Sequence, residues 1–259
     1  MITLDVRGLA EVQAALRGLA EEQIPYAMMT AINSTAFKVK AALQKEMKST
    51  FDRPTPWLIR QTWVGKATKE NLVATVAAAE PREGRLERIA QGIFDVQSKG
   101  GSRLHKSGEV RLQRAGILPR GWYAVPAPDA PLDAYGNLSG QWWMIILSWL
   151  NAAQWYSQGA TQNRVEKVRN RKNQLQRAGL ELFPAIPNRE RTWHLQPGVY
   201  ARQRKGGASA LKPLLLFVSK ASYKPRLDWT GVAERTAREE LPAAMQAAVA
   251  RALKTALVV

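Results

Sequence analysis

The sequence contains no cysteine, and this absence excludes several kinds of site. A chain without cysteine has no disulfide, no thiol nucleophile, no cysteine-ligated zinc and no iron–sulfur cluster. Histidine is also scarce, because only His105 and His194 occur among the 259 residues. A histidine-based metal site would need carboxylates from distant segments, so we expect structural or exposed histidines and no bound metal.

Long hydrophobic runs are missing as well. The longest, residues 142–150, is far shorter than the roughly 20 apolar residues that a membrane-spanning helix needs. The first residues lack a basic segment followed by an apolar one, which predicts that there is no signal peptide. We therefore expect a protein that makes no membrane contact and is assembled in a reducing cytoplasm.

Acidic residues are few relative to basic ones. The chain has 21 Asp and Glu against 38 Lys and Arg, which gives a formal net charge of +17 at pH 7. Apolar residues make up 46% of the sequence, which is typical of a globular protein with a substantial core. The positive surface should attract polyanions: nucleic acid, an anionic membrane face or an acidic protein.

Apolar periodicity predicts helices near both ends of the chain. It indicates a short helix over residues 8–20 and a long one over residues 25–50, with Pro25 in the first turn. A second long helix should begin near Asp228, and Pro242 should kink it. Alternation and turn residues predict short strands at residues 63–66, 72–78, 198–203 and 214–219. We expect Pro213 to precede the last strand, because proline cannot donate to a ladder.

The composition changes from about residue 81 onward. Residues 82–120 are basic and rich in glycine, whereas residues 121–159 hold no Lys or Arg but five of the nine tryptophans. Residues 161–205 are basic again. This contrast predicts an inserted module over residues 81–192, within a core made of residues 1–80 and 193–259. The expected fold class is α+β, a small sheet flanked by long N-terminal and C-terminal helices, with a large basic and Trp-rich insertion.

Basic residues in and after the insertion are candidates for an interface that faces anions. If residues 164–177 are helical, Arg164, Lys167 and Arg171 share one face, with Arg169 and Lys172 turned aside. A solvated charged helix and a contact with DNA phosphates or an acidic protein both fit this pattern. The candidate residues are Arg164, Lys167, Arg169, Arg171, Lys172, Arg177 and Lys205.

Three tryptophans of the insertion form a second candidate surface. Trp142, Trp143 and Trp149 lie in a segment with helical spacing, for which Ser139 is the expected N-cap. Core packing is one interpretation of these rings. The other is an aromatic anchor buried against a second subunit, because aromatic residues are enriched at interface hot spots.

The carboxylates Asp129 and Asp133 are the best candidates for a catalytic pair in the sequence. Paired carboxylates can act as an acid and a base, which would make a hydrolase acting on the cell wall an alternative. The segment 133–137, Asp-Ala-Tyr-Gly-Asn, is also typical of a turn in which the aspartate accepts local backbone hydrogen bonds. We favour the turn, and we predict no catalytic residue, no cofactor and no enzyme.

Three segments, taken in order, resemble one family of virion proteins. Near the start, GL..V..AL..L is followed by IPYAMMTAINSTAFKVKAAL, and the middle contains LQRAGILPRGWYAVPAPDAPLDAYGNLSG and ILSWLNAA. PGVYARQ, LKPLLLFVSKASYKPRLDW and VAERTAREELPAAMQAAVARAL close the chain. This order resembles the minor tail protein Z and tail-completion family of bacteriophages and prophages. The pair Trp142 and Trp143 departs from the family pattern, in which a small or polar residue is expected.

The resemblance implies a structural protein of the virion, at the head-proximal end, or neck, of a long non-contractile tail. There it would help join the tail to a DNA-filled head, as a homo-oligomeric ring in contact with the tail terminator, the connector or the tail tube. We expect six-fold symmetry from that tail architecture. The family implies no cofactor and no catalytic residue. The alternative is a non-specific nucleic-acid-binding protein whose basic insertion contacts phosphates, including those of packaged DNA.

Overall fold

The computed structural model describes residues 23–81, 84–128, 130–152, 162–187, 192–203 and 211–256. The chain forms two compact units. The helical unit comprises Met1–Gly100 and Lys224–Val259, and the inserted unit comprises Gly101–Tyr223. The fold is α+β, with long helices near both ends of the chain and small antiparallel sheets, which confirms the predicted class. The predicted helix over residues 8–20 lies outside the described residues.

Seven helices and eight strands occur in the described ranges. The helices are α1 (Ile24–Thr50), α2 (Pro56–Arg60), α3 (Arg85–Lys99), α4 (Ser107–Arg114), α5 (Gly140–Trp149), α6 (Gln162–Arg177) and α7 (Trp229–Ala256). The strands are β1 (Trp63–Gly65), β2 (Thr75–Ala77), β3 (Gly101–Ser102), β4 (Tyr123–Pro126), β5 (Leu180–Ala185), β6 (Gly198–Gln203), β7 (Leu211–Val218) and β8 (Ser222–Tyr223). None of these described helices has both the length and the apolar character to cross a membrane.

The helical unit is built on the long helices α1 and α7, which confirms two of the predicted elements. They pack through small side chains, since Ala27, Ala31 and Ala248 are buried where the helices meet. Alanine lets two backbones approach closely without leaving a cavity between them. At the edge of this contact, Lys38 Nζ donates to Glu240 Oε2 at 2.5 Å. The order of these contacts along the two helices makes the pair antiparallel.

Local signals set where the long helices begin. Pro25 lies in the first turn of α1, where its missing N–H removes no intrahelical bond. Asp228 precedes α7, and its Oδ1 accepts a hydrogen bond from the Gly231 N–H at 3.0 Å, which caps the helix. Pro242 lies inside α7. The kink expected at this proline stays a prediction.

A small hairpin and a second apolar cluster complete the helical unit. β1 and β2 pair antiparallel, with Trp63 opposite Ala77, as the sequence pattern predicted. Asn33 on α1 fixes the loop that follows β1: its Nδ2 donates to the Ala67 carbonyl, and its Oδ1 accepts from the Ala67 N–H. The cluster is formed by Met47, Ile59, Ala78, Ala79, Ala90, Phe94 and Leu227, with Phe51, Trp57, Leu58 and Trp229 packed against it.

The inserted unit is built on a four-stranded antiparallel sheet of order β4-β7-β6-β5. β3 and β8, at the two ends of this unit, pair with each other, with Gly101 opposite Tyr223. This pairing brings together the two points at which the chain enters and leaves the unit. The apolar side of the sheet packs against α5, with Ile145, Ile146, Leu147, Val199, Leu215 and Phe217 among the buried residues.

The expectation that Pro213 precedes the last strand is wrong, because it lies within β7. Pro213 is paired with Tyr200 next to a register shift in β6. On the other side of β7, the partner strand β4 reaches only as far as Leu215. Proline has no N–H to donate to a neighbouring strand. At Pro213 this costs few hydrogen bonds, because β6 is irregular there and β4 does not extend that far.

The two compact units are divided differently from the predicted modules. The inserted unit begins after Gly100 and ends at Tyr223, whereas the predicted insertion covers residues 81–192. α3 stays with the helical unit because Ala90 and Phe94 are buried in its cluster. β6 and β7 belong to the inserted unit because they lie between β5 and β4 in one sheet.

Candidate polyanion-facing site in the inserted unit

α6 carries most of the predicted basic candidates, and its inner side is fixed to the rest of the inserted unit. Leu175 packs against the apolar core, and Val168 is half-buried. Lys172 points toward α5: its Nζ donates to the Ser148 carbonyl at 3.1 Å and lies 5.7 Å from the Trp149 ring centroid. Lys172 is thus turned aside from the other cations, and its ammonium helps to fasten α6.

The remaining described cations of α6 are exposed. They are Lys167, Arg169, Arg171 and Arg177. Arg171 Nη1 donates to Gln174 Oε1 at 2.7 Å, one helical turn along the same side. Arg164 belongs to α6, but its side chain is outside the described part, as is the whole of Lys205. The structure therefore leaves four of the seven predicted cations exposed on one helix. Lys167 and Arg171 share a face, and Arg169 is turned aside from them, as the helical period predicts.

The predicted tryptophans pack within the inserted unit. Trp142, Trp143 and Trp149 are half-buried against its apolar core. The predicted cap of their helix is confirmed, since Ser139 Oγ accepts from the Trp142 N–H at 3.3 Å. The Trp143 ring covers Gly108 so closely that a Cβ added there would lie 2.5 Å from it. Core packing accounts for the buried parts of these rings.

A buried ion pair, which the sequence analysis did not find, lies at the start of α4. Glu109 is fully buried, and its two carboxylate oxygens accept from Arg103 Nη1 and Nη2 at 2.9 and 2.5 Å. The same carboxylate accepts from the backbone N–H groups of Lys106 and Ala124 at 2.6 and 2.8 Å. It therefore joins the segment after β3, the first turn of α4 and strand β4. The sequence contains only half of a capping-box signal, because Glu109 lies three residues after the N-cap but the N-cap is Lys106, not Ser or Thr.

The protonation of Glu109 follows from this geometry. Burial alone would raise the pKa of its carboxyl. The hydrogen bonds from the Arg103 guanidinium and from the Ala124 and Lys106 N–H groups outweigh burial, so the pKa lies below its ordinary value. Glu109 is thus an anion with every partner supplied by the protein. A carboxylate held in this way is a structural tie and a poor proton donor at neutral pH.

The histidines have no metal-binding partners among the described residues. His105 stacks on Tyr123, with ring centroids 4.4 Å apart, and its Nδ1 lies 3.7 Å from Glu109 Oε2. His194 is exposed and meets the Trp193 ring edge-on. The described ranges contain no group of three or more His, Cys, Asp or Glu that could hold a metal ion.

Asp133 forms the predicted turn. Its Oδ1 accepts from the N–H groups of Tyr135 and Asn137, both at 2.9 Å, and Gly136 has a positive φ of 74°. This confirms the turn interpretation for Asp133. Asp129, the other carboxylate of the predicted pair, lies outside the described residues.

Comparisons with known proteins give no relative on which to base a function. No protein-family model, curated protein or solved structure matches this chain.

Proposed function

We propose that this chain is a structural protein of a tailed-phage virion, acting in tail completion at the head-proximal end of the tail. It would join the tail to the head by protein–protein assembly, with no chemical step. The ordered resemblance to minor tail protein Z and its relatives supports this proposal. The α+β fold has a long helix near each end of the chain, and those helices lie in segments that carry the first and last parts of the resemblance.

One structural observation carries the proposal: the distribution of charge. The inserted unit has 18 Lys and Arg against six Asp and Glu, a formal charge of +12. α6 presents part of this charge on a helix backed by the core. The best candidates for acid chemistry have structural uses, because Glu109 is held in an ion pair and Asp133 closes a turn. These features favour assembly by charge and shape complementarity.

The proposal specifies partners and a location. The neighbours would be the tail terminator, the connector or the tail tube, and the copies of this chain would form a ring, with six-fold symmetry as the working hypothesis. The protein would assemble in the host cytoplasm and remain in the neck of the virion. The positive inserted unit would face acidic surfaces of these neighbours or the path of the packaged DNA.

The test is to delete the gene from its phage and to image the lysate by negative-stain electron microscopy. The proposal expects filled heads beside separate tails of normal or near-normal length. Supplying the intact chain from a plasmid should restore joined particles. Complete virions with normally attached tails in the deletion lysate would contradict a role in completion.

A further inference from the structure

The exposed side of α6 has a composition that points to one kind of partner. Its described exposed side chains are all polar, and none is apolar. They are the cations Lys167, Arg169, Arg171 and Arg177, the carboxamides Asn163, Asn170, Asn173, Gln174 and Gln176, and the single acid Glu166. Cations and carboxamides are donors of hydrogen bonds to phosphate oxygens.

The exposed side of α6 differs from the typical centre of an interface with a folded protein. The centres of protein interfaces are enriched in aromatic residues, methionine and arginine, and they are depleted in lysine and glutamate. The exposed side of α6 offers arginines but no described aromatic residue or methionine. The apolar residues of α6 whose side chains are described, Val168 and Leu175, are turned to the interior. The exposed side therefore offers charge and hydrogen bonds without an apolar anchor, as a nucleic-acid backbone requires.

The excess of cations on α6 is larger than on α1, at six cations to one acid in 16 residues against four to one in 27 residues. α3 and α7 each set an acid four residues from a cation, as in the pairs Asp95–Lys99 and Glu234–Arg238. α6 has six cations and one carboxylate, so most of its charge has no acid within the helix. Lys167 and Arg171, four residues apart, repel each other. An external polyanion would relieve this repulsion.

The geometry gives the reach of the contact. Lys167 and Arg177 are ten residues apart, which is about 15 Å along a helix. One strand of a duplex rises about 3.4 Å for each phosphate, so this length spans several phosphates. Lys172 and Leu175 hold α6 against the unit, so the cations are presented on a fixed support.

We infer that the exposed side of α6 binds the phosphodiester backbone of duplex nucleic acid without reading its sequence. This inference depends on α6 alone, and it can stand or fall independently of the proposed place of the protein in the virion. No base-reading element is involved, because phosphate contacts carry no sequence information.

The test measures binding of the full chain to a fluorescent DNA duplex of about 30 base pairs, across a range of salt concentrations. The key variant replaces Lys167, Arg169, Arg171 and Arg177 with glutamine. The matched control replaces Lys45, Lys48, Arg60 and Lys254, four exposed cations of the helical unit, with glutamine. Both variants lose the same charge, and circular dichroism establishes that both are folded.

We expect the affinity of the intact chain to fall about 100-fold between roughly 50 and 200 mM salt, as for about four phosphate contacts. The α6 variant should lower the salt slope by about 3 to 4, and the control by less than about 1. Two duplexes of unrelated sequence should bind equally. An RNA duplex serves as a further arm, and comparable binding to it would support recognition of the shared backbone.

Three results would overturn the inference. The first is no binding to DNA at low salt. The second is an equal loss of affinity in the two variants, which would assign binding to overall charge and not to α6. The third is equally tight, equally α6-dependent binding of poly-glutamate at matched charge, which would favour an acidic protein as the partner.

Discussion

The two units of this chain differ in their net charge and in the ion pairs that their charged residues form. The helical unit has 20 Lys and Arg against 15 Asp and Glu, a formal charge of +5, whereas the inserted unit has +12 in fewer residues. In the helical unit, exposed cations often meet an acid, as Lys38 meets Glu240 and Arg235 meets Asp228. In the inserted unit, 18 Lys and Arg share six Asp and Glu.

The few acids of the inserted unit are also used differently. Glu109 is buried in an ion pair, and Glu181 is bound by Arg202 across two strands. Acids here support the fold, and an excess of cations remains on the surface. We propose that the helical unit is a scaffold and that the inserted unit contacts anions.

The largest effect is expected at the buried ion pair. Glu109→Ala would leave Arg103 and two backbone N–H groups without their acceptor, which should cost about 3–5 kcal/mol of unfolding free energy. Chemical denaturation followed by tryptophan fluorescence would measure the loss. Glu166→Ala, at an exposed acid of the same unit, is the control and should change stability by less than about 0.5 kcal/mol. Similar midpoints for the two variants would show that Glu109 is not a structural tie.

A matched pair of core truncations tests whether the units are separate. Leu43 on α1 and Leu215 on β7 are both fully buried, one in each unit. Either substitution by alanine should cost about 2–5 kcal/mol. Amide hydrogen exchange should show the loss of protection confined to the unit that carries the substitution. Equal loss in both units from either variant would mean that they unfold as one.

A smaller effect is expected where Trp143 covers Gly108. Gly108→Ala places a Cβ against the ring and should destabilise the inserted unit by about 1–3 kcal/mol through overpacking. Gly140→Ala is the control, because a Cβ there meets nothing within 4 Å. Thermal unfolding compares the two, and a stable Gly108→Ala variant would mean that Trp143 can move aside.

The smallest expected effect is on the pH dependence of stability. The pKa of Glu109 in the folded protein lies below its ordinary value of 4.5. Its stabilising contribution is therefore present above about pH 4.5 and is lost as the pH falls through the folded pKa. The difference in unfolding free energy between the intact chain and Glu109→Gln should narrow on acidification. A difference that is constant from neutral to acid pH would argue against an ionised Glu109.

Local patterns were predicted from the sequence, and pairings between distant segments were not. The helix α1 was predicted from the spacing of its apolar residues, and Ser139 was predicted as the N-cap of α5. Both predictions depend on neighbouring residues alone, and both are confirmed. The place of Pro213 and the limits of the inserted unit depend on how β4, β6 and β7 pair, which periodicity does not specify. Glu109 was missed because one of its partners, the Ala124 N–H, comes from a separate strand.

Of the candidate site, only the features set by local sequence patterns were predicted. The helix over residues 162–177 and the sideways position of Lys172 follow from the period of an α-helix. Which side of that helix faces the core depends on Trp149 and the sheet, and no local pattern shows it.

The central proposal of this account is that the role in the virion uses the exposed cations of α6. Its most direct test is complementation of the phage gene deletion, measured as plating efficiency, with the two glutamine variants supplied from a plasmid. The account predicts that the control with four substitutions in the helical unit restores plaques and that the folded α6 variant does not. Equal restoration by both variants would contradict it.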